Sequence, residues 1–393
     1  MAPPSGNPYD NIINDEETAG RAIAAGGFGC VFDPALKCKS NNKNKKNTVS
    51  KLLLKRHANS EMNEIKSVLS YVKHIPNHEK YFLLNDISEC IPDKLSSDDL
   101  HNFNHKCKSL YERGYSTDNI NRKINDFRII NMPHGGGDID KFFENLNMNK
   151  PSDRKEFVET NKALVNLLTN AIQPLNKSGY LHMDIKGQNI MRKKVNNNET
   201  SVKLIDWGLS GAVTDKGVPE FMNDRVVQYN VPFSNILFSN PELNKLLKKN
   251  ILALNASPKL LNGTEIGRDT TMKVVAYRQL VESIAYIGNK GHIGYLDRIL
   301  KKIYGGEYSL NEANSNDINS KVIIVDYNAR VLGKFITNSG DFDKNTFFQT
   351  VFRKNADVWG FITAYISLID KNKPPSWMDN LFENALLRIF SEY

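Results

Sequence analysis

The spacing of apolar positions changes character along this chain of 393 residues. Toward the N-terminus they come in short runs interrupted by glycine or by Lys/Asn tracts. The runs at 21–32 and 48–54 are small, β-branched or apolar and predict strands joined by a turn and a polar loop. Ile65, Val68, Leu69 and Val72 then recur at helical spacing, with Glu61 and Glu64 on the polar side, predicting a helix over 61–72. Two further strands are expected at 81–85 and 127–132. The long polar stretch between them, about 86–125, carries Asp98, Asp99, His101 and His105 and reads as an insertion. After the glycines at 135, 136 and 137, helical periodicity dominates, at 139–146, 154–177, 243–254, 272–287, 295–303 and 358–369. No internal repeat is visible. The expectation is α+β, with a β-rich region over 1–131 and a larger helical region over 132–393.

A hydrophobic fraction of 40% and a charged fraction of 24% are those of an ordinary globular chain, and no apolar run is long enough to span a bilayer. Residues 1–6 lack the basic then apolar stretch of a secretory signal, which predicts a reducing compartment. Cys30, Cys38, Cys90 and Cys107 have neither CxxC spacing nor paired histidines, so free thiols are expected rather than disulfides or zinc. The net charge of +8 admits a nucleic acid or an acidic substrate as partner without choosing either. The Lys/Asn tracts at 39–47 and 192–198 read as solvated loops before phosphate-binding patches.

Candidate chemistry concentrates in His182-Met183-Asp184-Ile185-Lys186-Gly187-Gln188-Asn189. Such a loop suits phosphoryl transfer. Asp184 can orient a hydroxyl and accept its proton, Lys186 can neutralise a γ-phosphate, and the Asn189 carbonyl can hold Mg²⁺. Downstream, the apolar run Val202-Lys203-Leu204-Ile205 ends in Asp206-Trp207-Gly208. A hairpin turning at Asn196-Asn197-Asn198 would return Asp206 beside Asn189 and complete a metal site.

Upstream, Ala24-Ala25-Gly26-Gly27-Phe28-Gly29-Cys30-Val31 would let backbone N–H groups approach phosphates closely. Ala24 stands where the GxGxxGxV pattern has its first glycine, while Gly26, Gly29 and Val31 are kept. Lys51, on the following strand, is the candidate for the α/β-phosphates, ahead of Lys55. Glu64 or Glu61 would hold it, with Glu64 preferred as the deeper of the two in the helix.

These residues together resemble the protein-kinase family, and the HMDIKGQN, IDWG and GGFGCVF segments look most like divergent Ser/Thr kinases of large nucleocytoplasmic DNA viruses. The resemblance implies a bilobal protein-kinase-like fold, ATP and Mg²⁺ as cofactors, and transfer to Ser/Thr hydroxyls of protein substrates. By the same resemblance Ile23, Val31 and Val49 would roof the adenine, 132–135, from Met132 to Gly135, would form the hinge, and Gly136-Gly137-Asp138-Ile139 would open the next helix. Asp357 would anchor the catalytic loop with Trp359 beneath it, which makes about 245–350 a helical insertion. Met183 occupies the position of the phosphate-sensing arginine and predicts activity without activation-loop phosphorylation. Neither Val231-Pro232-Phe233 nor Asn240-Pro241-Glu242 matches the Ala-Pro-Glu element. A viral kinase would reside in the cytoplasm of the host cell or be packaged in the virion. The rival reading is a pseudokinase scaffold that binds nucleic acid through its excess Lys/Arg. Phosphorylation of a small molecule is a further rival, against which Lys186 argues.

Overall fold

The computed structural model describes residues 20–25, 28–40, 47–196, 199–238, 240–256, 268–303, 320–337 and 339–371. The chain divides into two compact units. One comprises 1–63 and 84–134, the other 64–83 and 135–393. The architecture is α+β, as expected.

The first unit is built on an antiparallel sheet of five strands in the order β1-β2-β3-β5-β4. Its strands are β1 (Arg21–Ala25), β2 (Gly29–Asp33), β3 (Thr48–Leu54), β4 (Ser88–Cys90) and β5 (Phe127–Pro133). Successive side chains of β3 point to opposite faces, and both faces are covered. Leu53 packs with Ile130 and with Ala58 of the helix α1 (Lys55–Val72). Leu52 packs on the other face with Phe32, Phe103, Leu110, Phe127 and Ile129.

That second face is covered by residues of 86–125, the polar stretch expected as an insertion. Leu95, Phe103, Cys107, Leu110, Ile120 and Ile124 are buried there, so the stretch supplies a layer of the core. Its apolar residues are spaced too irregularly among polar ones to register as a helix or strand pattern. A strand over 81–85 is likewise absent. Phe82 makes an isolated bridge to Leu204, and the strand beside β5 is β4.

The expectation of free thiols is overturned as well. Cys30 is bonded to Cys107 and Cys38 to Cys90. Sequence separations of 77 and 52 leave no local spacing to read, since pairing follows from which cysteines the sheet and its covering layer bring together. Asn131 on β5 donates Nδ2 to both Cys38 Sγ and Cys90 Sγ, at 3.4 and 3.7 Å, and accepts from Ser50 Oγ at 2.6 Å.

The second unit carries two small sheets. One has the order β6-β8-β9, from β6 (Gly137–Asp138), β8 (Ile190–Asn196) and β9 (Glu199–Leu204); the other pairs β7 (Tyr180–Leu181) with β10 (Gly211–Ala212). The tract at 192–198 is therefore largely strand where described, not a loop. Arg192 donates to Glu156 and Thr160 and lies 3.9 Å over the Phe142 ring.

The helices include Ile139–Asn145, Pro151–Leu167, Pro241–Ala256, Arg268–Ile287, Ile293–Ile303, Ser320–Phe335 and Arg353–Thr363. The apolar faces of the last five meet in one core that joins Leu247, Val275, Leu296, Ile324 and Phe348 to Trp359, Phe233 and Met183. Loop residues thus rest on the same core as the helices, which holds them rigidly. Among the described residues no helix is long and apolar enough to cross a membrane.

Candidate active site

In the second unit, residues 182–189 connect β7 to β8 and form a loop whose backbone is tied down from below. Asp357, on the helix Arg353–Thr363 and 1% exposed, accepts the His182 N–H through Oδ2 and the Met183 N–H through Oδ1, both at 2.8 Å. Asn176 Nδ2 donates to the same Oδ2 at 2.6 Å. A buried carboxylate needs such donors, and here they are the peptides that lead into Asp184. His182 is fully buried beneath Ile205, its Nε2 at 3.0 Å from that carbonyl. Burial pulls its imidazole below the usual range, against the neighbouring Asp357 and Asp184 carboxylates. Met183 follows at φ 62, a left-handed conformation that turns the chain so that Asp184 leaves the core side.

Asp184 is 5% exposed and held on both oxygens. Oδ2 accepts from Lys186 Nζ and from Asn189 Nδ2, each at 2.9 Å; Oδ1 accepts from Asn230 Nδ2 at 2.8 Å. Asn189 also donates Nδ2 to the Asp184 carbonyl at 2.8 Å, so its amide nitrogen is committed and its oxygen is the end left for a cation. The Ile205 N–H donates to the Asn189 carbonyl at 3.0 Å, and Asp206, exposed and at φ 64, is the next residue. An exposed carboxylate and an acceptor amide are groups that suit Mg²⁺, which takes one or two protein ligands and completes its shell with phosphate and water. Among the described residues no group of three or more His, Cys, Asp or Glu gathers as a metal cage.

Two glycines permit this packing. A Cβ on Gly187 would collide with Asp140 Oδ1, and one on Gly360 would lie 2.7 Å from the Ile185 carbonyl. Asp140 also accepts from Ser367 Oγ at 3.0 Å, and burial pushes its carboxyl up to about 6.

The first unit holds most of the remaining predicted residues. Lys51 Nζ donates to Glu61 Oε2 at 2.7 Å, both side chains about one fifth exposed. Glu61 is therefore the partner, and the preference for Glu64 is corrected. The helix begins at Lys55, directly from β3 and earlier than its apolar spacing suggested, which brings Glu61 back toward the strand. Glu64 belongs to the second unit, where its Oε2 lies 3.8 Å from where a Gly208 Cβ would be.

Val31 sits opposite Lys51 across β2 and β3, Ala24 opposite Val31, and Met132 opposite Val49. Ile23 and Phe28 are exposed; the Phe28 ring stacks on His57 at 4.5 Å with Arg113 above it. Gly29 admits the Leu52 carbonyl where a Cβ would clash. Gly26 and Gly27 lie outside the described residues. Gly135, in the second unit, lies against Met191, 2.9 Å from it if given a Cβ.

No protein-family model matches the chain. A probable serine/threonine-protein kinase of Dictyostelium discoideum, fnkE, is 31% identical over 207 residues, which is 51% of this chain and 13% of that protein. The sequence match is thus to a kinase, over a small part of its length. A crystal structure of a kinase domain aligns with 94% of both chains at 13% identity and a TM-score of 0.34, a likeness that says nothing of activity.

Sequence reasoning missed three residues that touch the loop or its support. Asn230 holds Asp184; Arg225 donates Nη2 to the Met183 and Leu209 carbonyls at 3.2 and 3.4 Å. His292, preceding the helix Ile293–Ile303, donates its backbone N–H to the Val227 carbonyl at 2.9 Å, and its ring sits 5.0 Å from that of Tyr229. Burial and the nearby Lys186 ammonium lower its imidazole. None lies in a motif, and only long-range packing identifies them.

Proposed function

We propose that this chain is an ATP- and Mg²⁺-dependent protein kinase that transfers the γ-phosphate to Ser/Thr hydroxyls. The observation that carries the reading is the buried Asp184 carboxylate, held by Lys186, Asn189 and Asn230 on a loop anchored to Asp357. A carboxylate fixed on both oxygens is aimed rather than mobile, which phosphoryl transfer requires, because positioning and charge stabilisation supply most of its rate.

Asp184 would orient the acceptor hydroxyl and receive its proton. Lys186, already within 2.9 Å of that carboxylate, would shift toward the γ-phosphate as charge develops there. Lys51, kept in place by Glu61, would hold the α/β-phosphates. Asn189 Oδ1 and Asp206 would hold Mg²⁺, which when bound offsets charge on the β- and γ-phosphates. Protein Ser/Thr specificity is favoured by Lys186 and agrees with the name of the matched kinase.

The test is incubation of the full chain with labelled ATP, Mg²⁺ and casein or a basic protein. Phosphoserine or phosphothreonine should form, and Asp184→Ala should slow it roughly 10²–10⁴-fold. No transfer by the wild type, or equal transfer by the variant, would refute the reading.

A further inference from the structure

The segment 224–230 reaches the catalytic loop through a buried cation. Arg225 is 6% exposed, and its Nη2 bridges the carbonyl of Met183, the peptide that enters Asp184, and the carbonyl of Leu209, just beyond Asp206. Nη1 is buried with no hydrogen-bond partner among the described residues. Burying a guanidinium costs several kcal/mol even after relaxation. Burial lowers this one to about 10, with the Asp184 and Asp357 carboxylates opposing the shift. An apolar side chain of the same length would fill the space at less cost, so the charge itself has a task.

The surroundings indicate which task. Met183, left-handed and 1% exposed, gives its side chain to the apolar core and its carbonyl to Arg225. The segment that presents Arg225 is itself bolted in place. Asn240 Nδ2 donates to Asp224 Oδ1 at 2.5 Å, the His292 N–H to the Val227 carbonyl at 2.9 Å, and Trp359 Nε1 to the Tyr229 carbonyl at 2.8 Å. Gly291 allows the Val227 carbonyl closer than any Cβ would permit. At the far end Asn230 reaches Asp184 and the Ile185 carbonyl.

We propose that Arg225 is a positioning residue, which locks the Asp184 loop and the segment after Asp206 into one arrangement from the 224–230 side without any phosphorylated residue. The activity arm of its test rests on the kinase reading; the exchange arm does not.

In the full-length protein, Arg225→Met should lower kcat about 10–100-fold and leave the KM for ATP within about twofold, because the loss falls on aim rather than on nucleotide binding. Millimolar guanidinium should restore part of the rate to Arg225→Met and none to Asp184→Ala. Arg225→Lys, which keeps the charge but loses the two-carbonyl fork, should lie between wild type and Arg225→Met. Hydrogen exchange followed by mass spectrometry should show faster exchange at 183–185 and 209–212 in both Arg225 variants, with other segments unchanged. Treating the wild type with phosphatase should leave its rate unaltered.

An unchanged kcat in Arg225→Met, or a rate lost on phosphatase treatment, would overturn the proposal. Should the wild type transfer no phosphate, the exchange measurement still decides it, since equal exchange in wild type and Arg225→Lys is a refutation. If Arg225→Met does not fold, the same comparison of wild type with Arg225→Lys, in rate and in exchange, decides in its place.

Discussion

Asp357 Oδ1 accepts the Met183 N–H at 2.8 Å across a sequence separation of 174 residues. Its other oxygen takes the His182 N–H and the Asn176 amide. A single carboxylate therefore sets the direction of the peptides from which Asp184 projects. Asp357→Asn would turn an amide donor toward one of those N–H groups and leave it unpaired. We predict a loss of about 1–3 kcal/mol in urea unfolding and a fall in kcat larger than any change in KM.

The Lys51–Glu61 pair at 2.7 Å separates two neighbouring glutamates by experiment. Glu61→Gln should weaken phosphate placement and reduce kcat/KM for ATP by at least about tenfold. Glu64→Gln should have a much smaller effect. Steady-state kinetics of the two variants at matched Mg²⁺ decides the assignment.

Cys30–Cys107 and Cys38–Cys90 fasten the 88–110 region to β2 and to the residues that follow it. Each bond should contribute about 2–4 kcal/mol, mainly by restricting the unfolded chain. Dithiothreitol should accordingly lower the urea midpoint of the wild type. A Cys38→Ser/Cys90→Ser double variant should unfold earlier without reductant and respond less to it. Thiol titration of the unfolded, unreduced protein should detect no free cysteine.

Asp140 provides a pH test. Burial raises its folded-state carboxyl to about 6 from an unfolded value of 3.8. A raised carboxyl favours folding fully below the unfolded value and loses that advantage as pH rises through about 6. Asp140→Asn should thus be more stable than wild type at pH 8, and the difference should shrink as pH falls toward 4. Thermal unfolding across that range measures it, and activity should be followed alongside because Asp140 packs against Gly187.

Much of the candidate site is legible in the chain because its chemistry is local. Asp184, Lys186 and Asn189 lie within one loop, so the spacing of a carboxylate, an ammonium and an amide states their cooperation directly. The helices of the second unit are equally readable where apolar residues recur every three or four positions, as at 272–287, whereas the helix Ser320–Phe335 is foreseen only as part of a helical stretch over about 245–350. Glu61 was legible as a candidate but not as the choice, because the helix starts at Lys55, six residues before the expected 61, which exchanges Glu64 for Glu61.

By itself the sequence determined the candidate reactive groups, the α+β class and the periodic helices, since these depend on side-chain type and short-range spacing. Tertiary structure decided what holds those groups in place: Asp357, Arg225 and Asn230 beneath and beside Asp184, the layer that 86–125 lays over the sheet, and the pairing of the four cysteines. Each of these is a contact between residues far apart in the chain. No local pattern encodes such contacts, because they arise only when burial forces a polar group to find whichever partner the packed core brings within reach.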